Sequence, residues 1–253
     1  MRGRGVPAGQ RRSAERRRPG GTPLIETVLP AGVRWAEAFD DMVAPDWFPE
    51  EEALVARAVA VRRGEFATVR RCARQALAEL GVPRVPLLRG PRGAPRWPGG
   101  IVGSMTHCAG YRGAAVARQE EFAALGIDAE TDEPVPDEVW DMVALPPERE
   151  QALRALGVRD RTDGAGPGPC PDKLLFSAKE AVFKAWYPLT REELEFHEAS
   201  VLFTYATARS GSFEARLLVP GPVVGGRRLD AFAGRWASGR GLILTAVALP
   251  VTG

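Results

Sequence analysis

A short run that holds every lysine of the chain is the first place in the sequence where side chains could do chemistry. The run KLLFSAKEAVFKAWY, residues 173–187, contains Lys173, Lys179 and Lys184, and the 253-residue chain otherwise uses arginine. A compact ammonium suits a single phosphate oxygen or a developing negative charge, whereas a planar guanidinium prefers a bidentate partner. The choice of lysine at these positions therefore favours contacts with phosphate groups.

A carboxylate lies on the same predicted helix. The period of an α-helix places Glu180 on the stripe that carries aromatic side chains, with Lys179 and Lys184 along the two edges of that stripe. A Glu–Lys pair four residues apart is also a common surface ion pair, worth about a few tenths of a kcal/mol. The aromatic neighbours favour a second interpretation, in which Glu180 has a raised pKa and accepts a proton. Lys173 is expected to lie outside this site and to be solvated.

Two further carboxylates end an apolar strand, LGIDAE, at residues 125–130. Residues two apart share a face of an extended chain, so Asp128 and Glu130 project together. Two like charges side by side are unfavourable unless a cation lies between them, and oxygen ligands at few protein positions favour Mg²⁺ or Mn²⁺. A solvated strand end is the alternative, because the chain continues acidic through Asp132 and Glu133.

A third segment, GSMTHCAGY at residues 103–111, leaves a predicted strand and contains His107, one of only two histidines. The hydroxyls of Ser104 and Thr106 and the backbone N–H groups of nearby glycines could bind an anion beside this imidazole. A histidine packed in the core is the alternative interpretation.

The elements that must position these side chains alternate between helical and strand patterns. Apolar residues recur at helical spacing over residues 49–80, where Gly64 is expected to divide two helices. The predicted elements that follow are a proline- and glycine-rich loop at 83–100, three strands between 101 and 130, two short helices around 137–145 and 147–156, the lysine helix ending at Pro188, and an antiparallel meander. This order predicts an α+β fold. We expect two similar halves, in each of which a small antiparallel sheet packs against helices.

Composition narrows the function classes. With 34 basic and 32 acidic residues the net charge is +2, which gives no general electrostatic case for a nucleic-acid partner. The three cysteines are odd in number and lack any CxxC spacing, which argues against a disulfide framework and a zinc site and favours a reducing cytoplasm. No apolar run approaches the roughly 20 residues that cross a bilayer. We expect a disordered Arg-rich tail at 1–21, an N-terminal half at 22–125 and a C-terminal half at 126–253 that carries the metal and base candidates.

Four segments, in this order and separation, resemble the phosphopantetheinyl transferases of the Sfp and EntD type, most closely the actinobacterial and mycobacterial members. The segments are RRGEFATVRRCARQAL (62–77), LLRGPRGAPRWPGGIVGSMTHCAGYRGAAVA (87–117), LGIDAE (125–130) and FSAKEAVFKAWYPLT (176–190). The resemblance implies transfer of the 4'-phosphopantetheine arm of coenzyme A to a serine of an acyl or peptidyl carrier protein, with release of adenosine 3',5'-bisphosphate. It also implies a monomer with the coenzyme between two similar halves.

The resemblance assigns roles to individual residues. It implies that Asp128, Glu130 and Glu180 surround a Mg²⁺, and that Glu180 and Lys184 act in catalysis. The residues that it implies for coenzyme A binding are Arg62, Arg70, Arg89, Gly93, Pro95, Arg96, Thr106, His107, Lys179 and Lys184. Many relatives carry a lysine where this chain has Ala94. The alternatives are that this phosphate contact is absent here or that Arg92 or Arg96 supplies it.

Two other classes of function stay open at the level of sequence. A module that binds coenzyme A or a carrier protein without catalysis would keep the same cradle, although the complete set of carboxylates and Lys184 argues against it. A nucleic-acid binding protein would use the Arg-rich tail with Arg70, Arg71 and Arg74, which the small net charge disfavours. The identity of the carrier, and whether Glu180 or water takes the proton of the serine, also stay open.

Overall fold

The computed structural model describes residues 23–41, 47–155 and 168–251, so the Arg-rich tail predicted at 1–21 lies outside the described residues. The helices are α1 (Leu24–Val28), α2 (Pro49–Ala53), α3 (Ala60–Glu79), α4 (Asp137–Val143), α5 (Pro146–Ala155) and α6 (Pro171–Thr190). The strands are β1 (Arg34–Ala38), β2 (Ile101–Cys108), β3 (Tyr111–Arg118), β4 (Phe122–Thr131), β5 (Ala199–Thr207), β6 (Ser210–Leu217), β7 (Val223–Val224), β8 (Arg227–Arg228), β9 (Ala231–Gly239) and β10 (Leu242–Pro250). Within these ranges no helix is both long and apolar enough to cross a membrane.

The strands form two antiparallel sheets and one short hairpin. The N-terminal sheet has the order β1-β3-β2, the C-terminal sheet has the order β4-β10-β9-β6-β5, and β7 pairs with β8. Helix α3 packs on the first sheet and helix α6 on the second. Each half thus combines one antiparallel sheet with one 20-residue helix, which confirms the predicted α+β class.

The two sheets divide slightly before the boundary proposed from the sequence. Strand β4 begins at Phe122 and pairs with β10, so residue 125 falls inside a strand of the C-terminal sheet. Helix α1 also packs against β9 and β10, and its buried Ile25 and Val28 belong to the same apolar cluster as Leu242. The N-terminal segment therefore contributes to the core of the C-terminal half.

Side chains of β2 join the two halves, because β2 lies beside β4. Ser104 Oγ accepts a hydrogen bond from the backbone N–H of Ile127 at 3.0 Å, and Thr106 Oγ1 accepts one from the N–H of Ala129 at 3.0 Å. Residues two apart on a strand point to the same side, so both hydroxyls face β4. This hydroxyl contact of β2 and β4 fixes the end of β4 against the N-terminal sheet.

Gly64 does not divide two helices, and that prediction was wrong. Helix α3 continues through it from Ala60 to Glu79, while the helical pattern is interrupted earlier, between α2 and α3. A Cβ atom at position 64 would lie 3.3 Å from the Cβ of Asp41, which is tighter than ordinary van der Waals contact. The glycine therefore serves a close approach between α3 and the segment after β1.

Helix α6 also differs from its predicted end. Pro188 lies inside the helix, which continues to Thr190 and ends at Arg191 in the left-handed conformation, with φ of 63°. The backbone N–H of Arg191 donates to the carbonyl of Tyr187 at 2.8 Å and satisfies one of the last carbonyls of the helix. A proline near the C-terminus removes one backbone donor without ending the helix at that residue.

The contact between β4 and α6 leaves no room for a side chain at Gly126. Ala181 and Ala185 of α6 are completely buried at this contact. A Cβ atom at position 126 would overlap the carbonyl oxygen of Ala181 and lie 2.8 Å from the backbone nitrogen of Ala185. The strand that carries Asp128 therefore packs directly on the backbone of the helix that carries Glu180.

We expect Gly126→Ala to lower the free energy of unfolding by about 1–3 kcal/mol, because the added methyl group overpacks a backbone contact. Urea denaturation measures this loss. Gly99→Ala is the matched control, because a Cβ atom there meets nothing within 4 Å. Equal stabilities of the two variants would contradict the close packing of β4 on α6.

Candidate active site

Asp128 lies where β4, α6 and β2 meet. Its side chain is buried, and its Oδ1 accepts hydrogen bonds from Lys184 Nζ at 2.6 Å and from Thr106 Oγ1 at 3.2 Å. Lys184 also donates to the carbonyl oxygen of Ile127 at 3.2 Å. The structure thus brings together three residues that the sequence placed in separate motifs.

The two oxygens of the Asp128 carboxylate differ in their contacts. Asp128 Oδ2 is buried and makes no hydrogen bond to any of the residues that the structure describes. Buried carboxylate oxygens are rarely left without a partner, so each such atom calls for an explanation. A cation held by this oxygen is a simple explanation, and an all-oxygen environment suits Mg²⁺.

Glu130 continues the cluster and has a lysine partner that the sequence prediction placed elsewhere. Lys173 Nζ lies 3.5 Å from Glu130 Oε2, and the side chain of Lys173 is only 15% exposed. The expectation that Lys173 is solvated was therefore wrong, and its ammonium contacts one of the candidate metal ligands. Lys173 precedes Glu180 by seven residues, which is two helical turns, and that spacing places both side chains on one face of α6.

The three carboxylates interact electrostatically. Burial raises the pKa of Glu180 above its usual value, Lys184 lowers it, and Asp128 and Glu130 raise it. Burial and then Asp128 likewise raise the pKa of Glu130, against the opposing effect of Lys173. Glu180 is therefore a carboxylate with an increased tendency to hold a proton.

The carboxylates are not gathered around one point. Over the described ranges, no group of three or more His, Cys, Asp or Glu side chains is arranged to hold a metal ion. Asp128 and Glu130 each contact a lysine instead. The fit of this site to Mg²⁺ rests on the unpaired oxygen of Asp128 and on the oxygen chemistry of the neighbouring carboxylates.

Lys179 is not brought to the carboxylate cluster. Its ammonium donates to Glu148 Oε2 at 2.8 Å, to the carbonyl of Val143 at 2.8 Å and to the carbonyl of Phe196 at 2.7 Å, and its side chain is 3% exposed. An ammonium has three donors, and all three are used. Lys179 therefore ties α6 to α4, α5 and the turn before β5, whereas the resemblance implied contact with coenzyme A.

A basic region borders the cluster on the side of α3. Arg62 Nη1 contacts His107 Nε2 and also donates to Glu65 Oε2 at 3.2 Å. Burial and the charge of Arg62 lower the pKa of His107, which favours its neutral form at neutral pH. His107 is partly exposed and lies at the end of β2, next to Thr106.

Two more of the predicted arginines, Arg70 and Arg89, both lie close to one buried aromatic ring. Arg70 lies 3.3 Å from the centroid of the Phe66 ring, and Arg89 lies 5.2 Å from it. Arg70 is 4% exposed and donates through Nε to the carbonyl of Leu87 at 2.8 Å, and burial lowers its pKa to about 9. Arg89 is exposed, so of the two it is the one more open to a ligand.

The proline- and glycine-rich loop predicted at 83–100 folds back on itself. The N–H of Gly90 donates to the carbonyl of Ala94 at 2.7 Å, and the N–H of Arg96 donates to the carbonyl of Leu88 at 2.9 Å. Gly93 has a positive φ of 77° at the tip, and Pro95 forms a bridge with Arg89. Of the two arginines proposed to replace the lysine absent at Ala94, Arg92 contacts Glu193 instead, while Arg96 is exposed.

A cavity of about 170 Å³ adjoins the cluster. Its wall includes Glu180 together with the apolar side chains of Phe183, Leu194 and Phe196. Because Glu180 belongs to both the cavity and the cluster of carboxylates, a molecule in the cavity can extend to the site where charged groups meet.

Comparisons with known proteins agree with this geometry. Residues 50–117 match the 4'-phosphopantetheinyl transferase N-terminal domain, and residues 124–219 match the 4'-phosphopantetheinyl transferase superfamily. The chain is 58% identical to the 4'-phosphopantetheinyl transferase Svp of Streptomyces mobaraensis over 89% of each chain. It is 45% identical to PptT of Mycobacterium tuberculosis and 48% identical to Npt of Nocardia iowensis, over 89% of this chain and 98% and 99% of those relatives. The resemblance predicted from the motifs is confirmed, and the chain belongs to the 4'-phosphopantetheinyl transferase family.

Proposed function

We propose that this enzyme transfers the 4'-phosphopantetheine arm of coenzyme A to a serine of an acyl or peptidyl carrier protein in a Mg²⁺-dependent reaction. The serine Oγ forms a bond to the phosphorus that carries the pantetheine arm, and the bond from that phosphorus to the bridging oxygen breaks. Adenosine 3',5'-bisphosphate leaves with that oxygen. The observation that carries the proposal is the proximity of Asp128, Glu180 and Lys184 at the junction of β4 and α6, where Asp128 Oδ2 has no hydrogen-bond partner among the described residues.

Glu180 is the proposed acceptor of the serine proton. A general base works best when its pKa lies near the working pH, and burial shifts the pKa of Glu180 upward in that direction. The cavity next to Glu180 is apolar on the side of Phe183 and Leu194 and is suited to the uncharged pantetheine arm. An arm held there keeps the reacting phosphorus close to the proposed base.

Positive charge for the phosphates is available from Lys184 and from the basic region beside α3. Lys184, on α6, neutralises charge that gathers on the leaving group, and such stabilisation of the transition state raises the rate. Arg62, His107 and Arg89 are proposed to hold the other phosphates of coenzyme A. Asp128, Glu130 and Glu180 are the side chains that would hold Mg²⁺, which supplies further neutralisation of the pyrophosphate when bound.

We expect Asp128→Asn to raise the Mg²⁺ concentration required for half-maximal activity and for Mg²⁺-dependent coenzyme A binding by at least about tenfold. The amide keeps the shape of the side chain and its hydrogen bond with Thr106, but it removes the charge that attracts the cation. Calorimetric titration of Mg²⁺ into the protein, with coenzyme A present, measures this shift. An unchanged titration would exclude Asp128 as a metal ligand.

Mass spectrometry of intact carrier proteins tests the proposed function. The protein is incubated with coenzyme A, Mg²⁺ and a panel of unmodified carrier proteins, beside a Glu180→Gln control. A phosphopantetheine mass gain on a carrier, absent in the control, supports the transferase and begins to assign the carrier. Coenzyme A binding without a mass gain on any carrier would favour a binding module without catalysis.

A further inference from the structure

One acidic side chain lies among the cations proposed to bind phosphate. Glu65, on α3, places Oε2 3.2 Å from Arg62 Nη1 and 3.7 Å from His107 Nε2, while its Oε1 lies 3.5 Å from Arg112 Nη2. The side chain of Glu65 is 19% exposed. A carboxylate at a site for anions is unexpected, because it repels an anionic ligand unless nearby cations offset its charge.

Arg112 provides a fixed anchor for this carboxylate. Its Nε and Nη2 donate to the two oxygens of Asp41 at 2.9 Å and 2.8 Å, and its Nη1 donates to the carbonyl of Cys108 at 2.6 Å. The side chain of Arg112 is only 7% exposed. The guanidinium is thus held by a bidentate pair and by the turn between β2 and β3, and it can hold Glu65 in turn.

We propose that Glu65 is a positioning residue that holds Arg62 and His107 in the orientation required to bind the phosphates of coenzyme A. This role rests on the proposed function. Arg62 contacts Glu65 through one of the five N–H donors of a guanidinium, so further donors are left for a phosphate. Arg112 is shared between Asp41 and Glu65, so it offsets part of the charge of Glu65, and Arg62 keeps further donors to attract the ligand.

Competition between Glu65 and phosphate for Arg62 would change the affinity for coenzyme A in the opposite direction. If Glu65 only competed with phosphate for Arg62, its removal would strengthen the binding of coenzyme A. If Glu65 positions Arg62, its removal leaves a long, freely rotating arginine, and binding weakens because the side chain must be ordered by the ligand. The sign of the change in affinity therefore separates positioning from competition.

The test measures the binding of coenzyme A and of dephospho-coenzyme A by calorimetry. The proteins compared are the unsubstituted full chain, Glu65→Ala, Glu65→Gln, Arg62→Ala and the Arg62→Ala/Glu65→Ala double variant. We expect Glu65→Ala to weaken coenzyme A binding about tenfold and to add little further loss once Arg62 is removed, as coupled residues do. Glu65→Gln keeps an acceptor oxygen for Arg62 and should lose less. Glu79→Ala is the matched control, since Glu79 lies on the same helix in an exposed ion pair with Arg34.

Thermal denaturation of each variant separates positioning from a loss of fold. Unchanged or tighter coenzyme A binding by both Glu65→Ala and Glu65→Gln would overturn the positioning role, and so would independent, additive losses in the double variant. If Glu65→Ala does not fold, the same comparison in Glu65→Gln decides. Failure of the unsubstituted protein to bind coenzyme A would overturn the proposed function, and it is recognised by that binding curve alone.

Discussion

A Glu180→Gln variant is expected to turn over roughly 10²- to 10⁴-fold more slowly than the unsubstituted enzyme, the usual contribution of a general base. Glutamine has nearly the shape of glutamate but cannot accept the serine proton. Coenzyme A binding is expected to persist, because the basic side chains proposed to hold its phosphates and the other two proposed Mg²⁺ ligands, Asp128 and Glu130, are unchanged. Carrier mass gain against time measures the rate, and calorimetry measures the binding.

The pH dependence of turnover is an independent test of Glu180 as the general base. The base must be ionised to act, so turnover rises with pH through the pKa of Glu180, which burial raises above its ordinary value of 4.5. This acidic limb is expected to disappear in Glu180→Gln. Glu133→Gln is a matched control, since it removes an exposed carboxylate close in sequence to Glu130. Near-normal turnover by Glu180→Gln would leave water as the acceptor of the proton.

A Lys179→Met variant is expected to lose about 3–5 kcal/mol in free energy of unfolding, because it leaves a buried carboxylate without its cation. The side chain of Glu148 is 2% exposed and lies 2.8 Å from the ammonium of Lys179. Burial lowers the pKa of Lys179 and Glu148 opposes that shift, as expected for a buried ion pair. Urea denaturation measures the change in stability.

The same variant distinguishes two roles for Lys179. If Lys179 bound phosphate, the Lys179→Met variant would bind coenzyme A more weakly, and its free energy of unfolding would be nearly unchanged. Lys173→Met is the matched control on the same helix, because its pair with Glu130 is longer, at 3.5 Å, and less buried. A smaller stability loss for Lys179→Met than for Lys173→Met would contradict the structural role.

The sequence predicted the parts of the site that depend on short-range geometry. The two-residue period of a strand placed Asp128 and Glu130 together, and the helical period placed Glu180 beside Lys184. The order of helices and strands was enough for the α+β class. Lys173 could have been placed correctly from the same helical period, because two full turns separate it from Glu180.

Contacts between distant segments could not be predicted in this way. The pair of Lys179 with Glu148 joins residues 31 positions apart, and nothing in the helical pattern distinguishes a lysine that binds phosphate from one that binds a buried glutamate. Arg70 likewise sits in a basic run, yet it is buried against Phe66. Glu65 gave only the signal of a common i,i+3 pair with Arg62, because its contacts with His107 and Arg112 depend on tertiary structure.

The hydroxyl contact of β2 and β4 also occupies part of a sheet edge. Strand β4 is an edge of the five-stranded sheet, and an open edge offers unpaired backbone groups on which another chain can add a strand. Ser104 and Thr106 occupy the N–H groups of Ile127 and Ala129, so this stretch of the edge is closed to a second chain. Thr106 also donates to Asp128, so one hydroxyl both closes the edge and orients a carboxylate of the candidate active site.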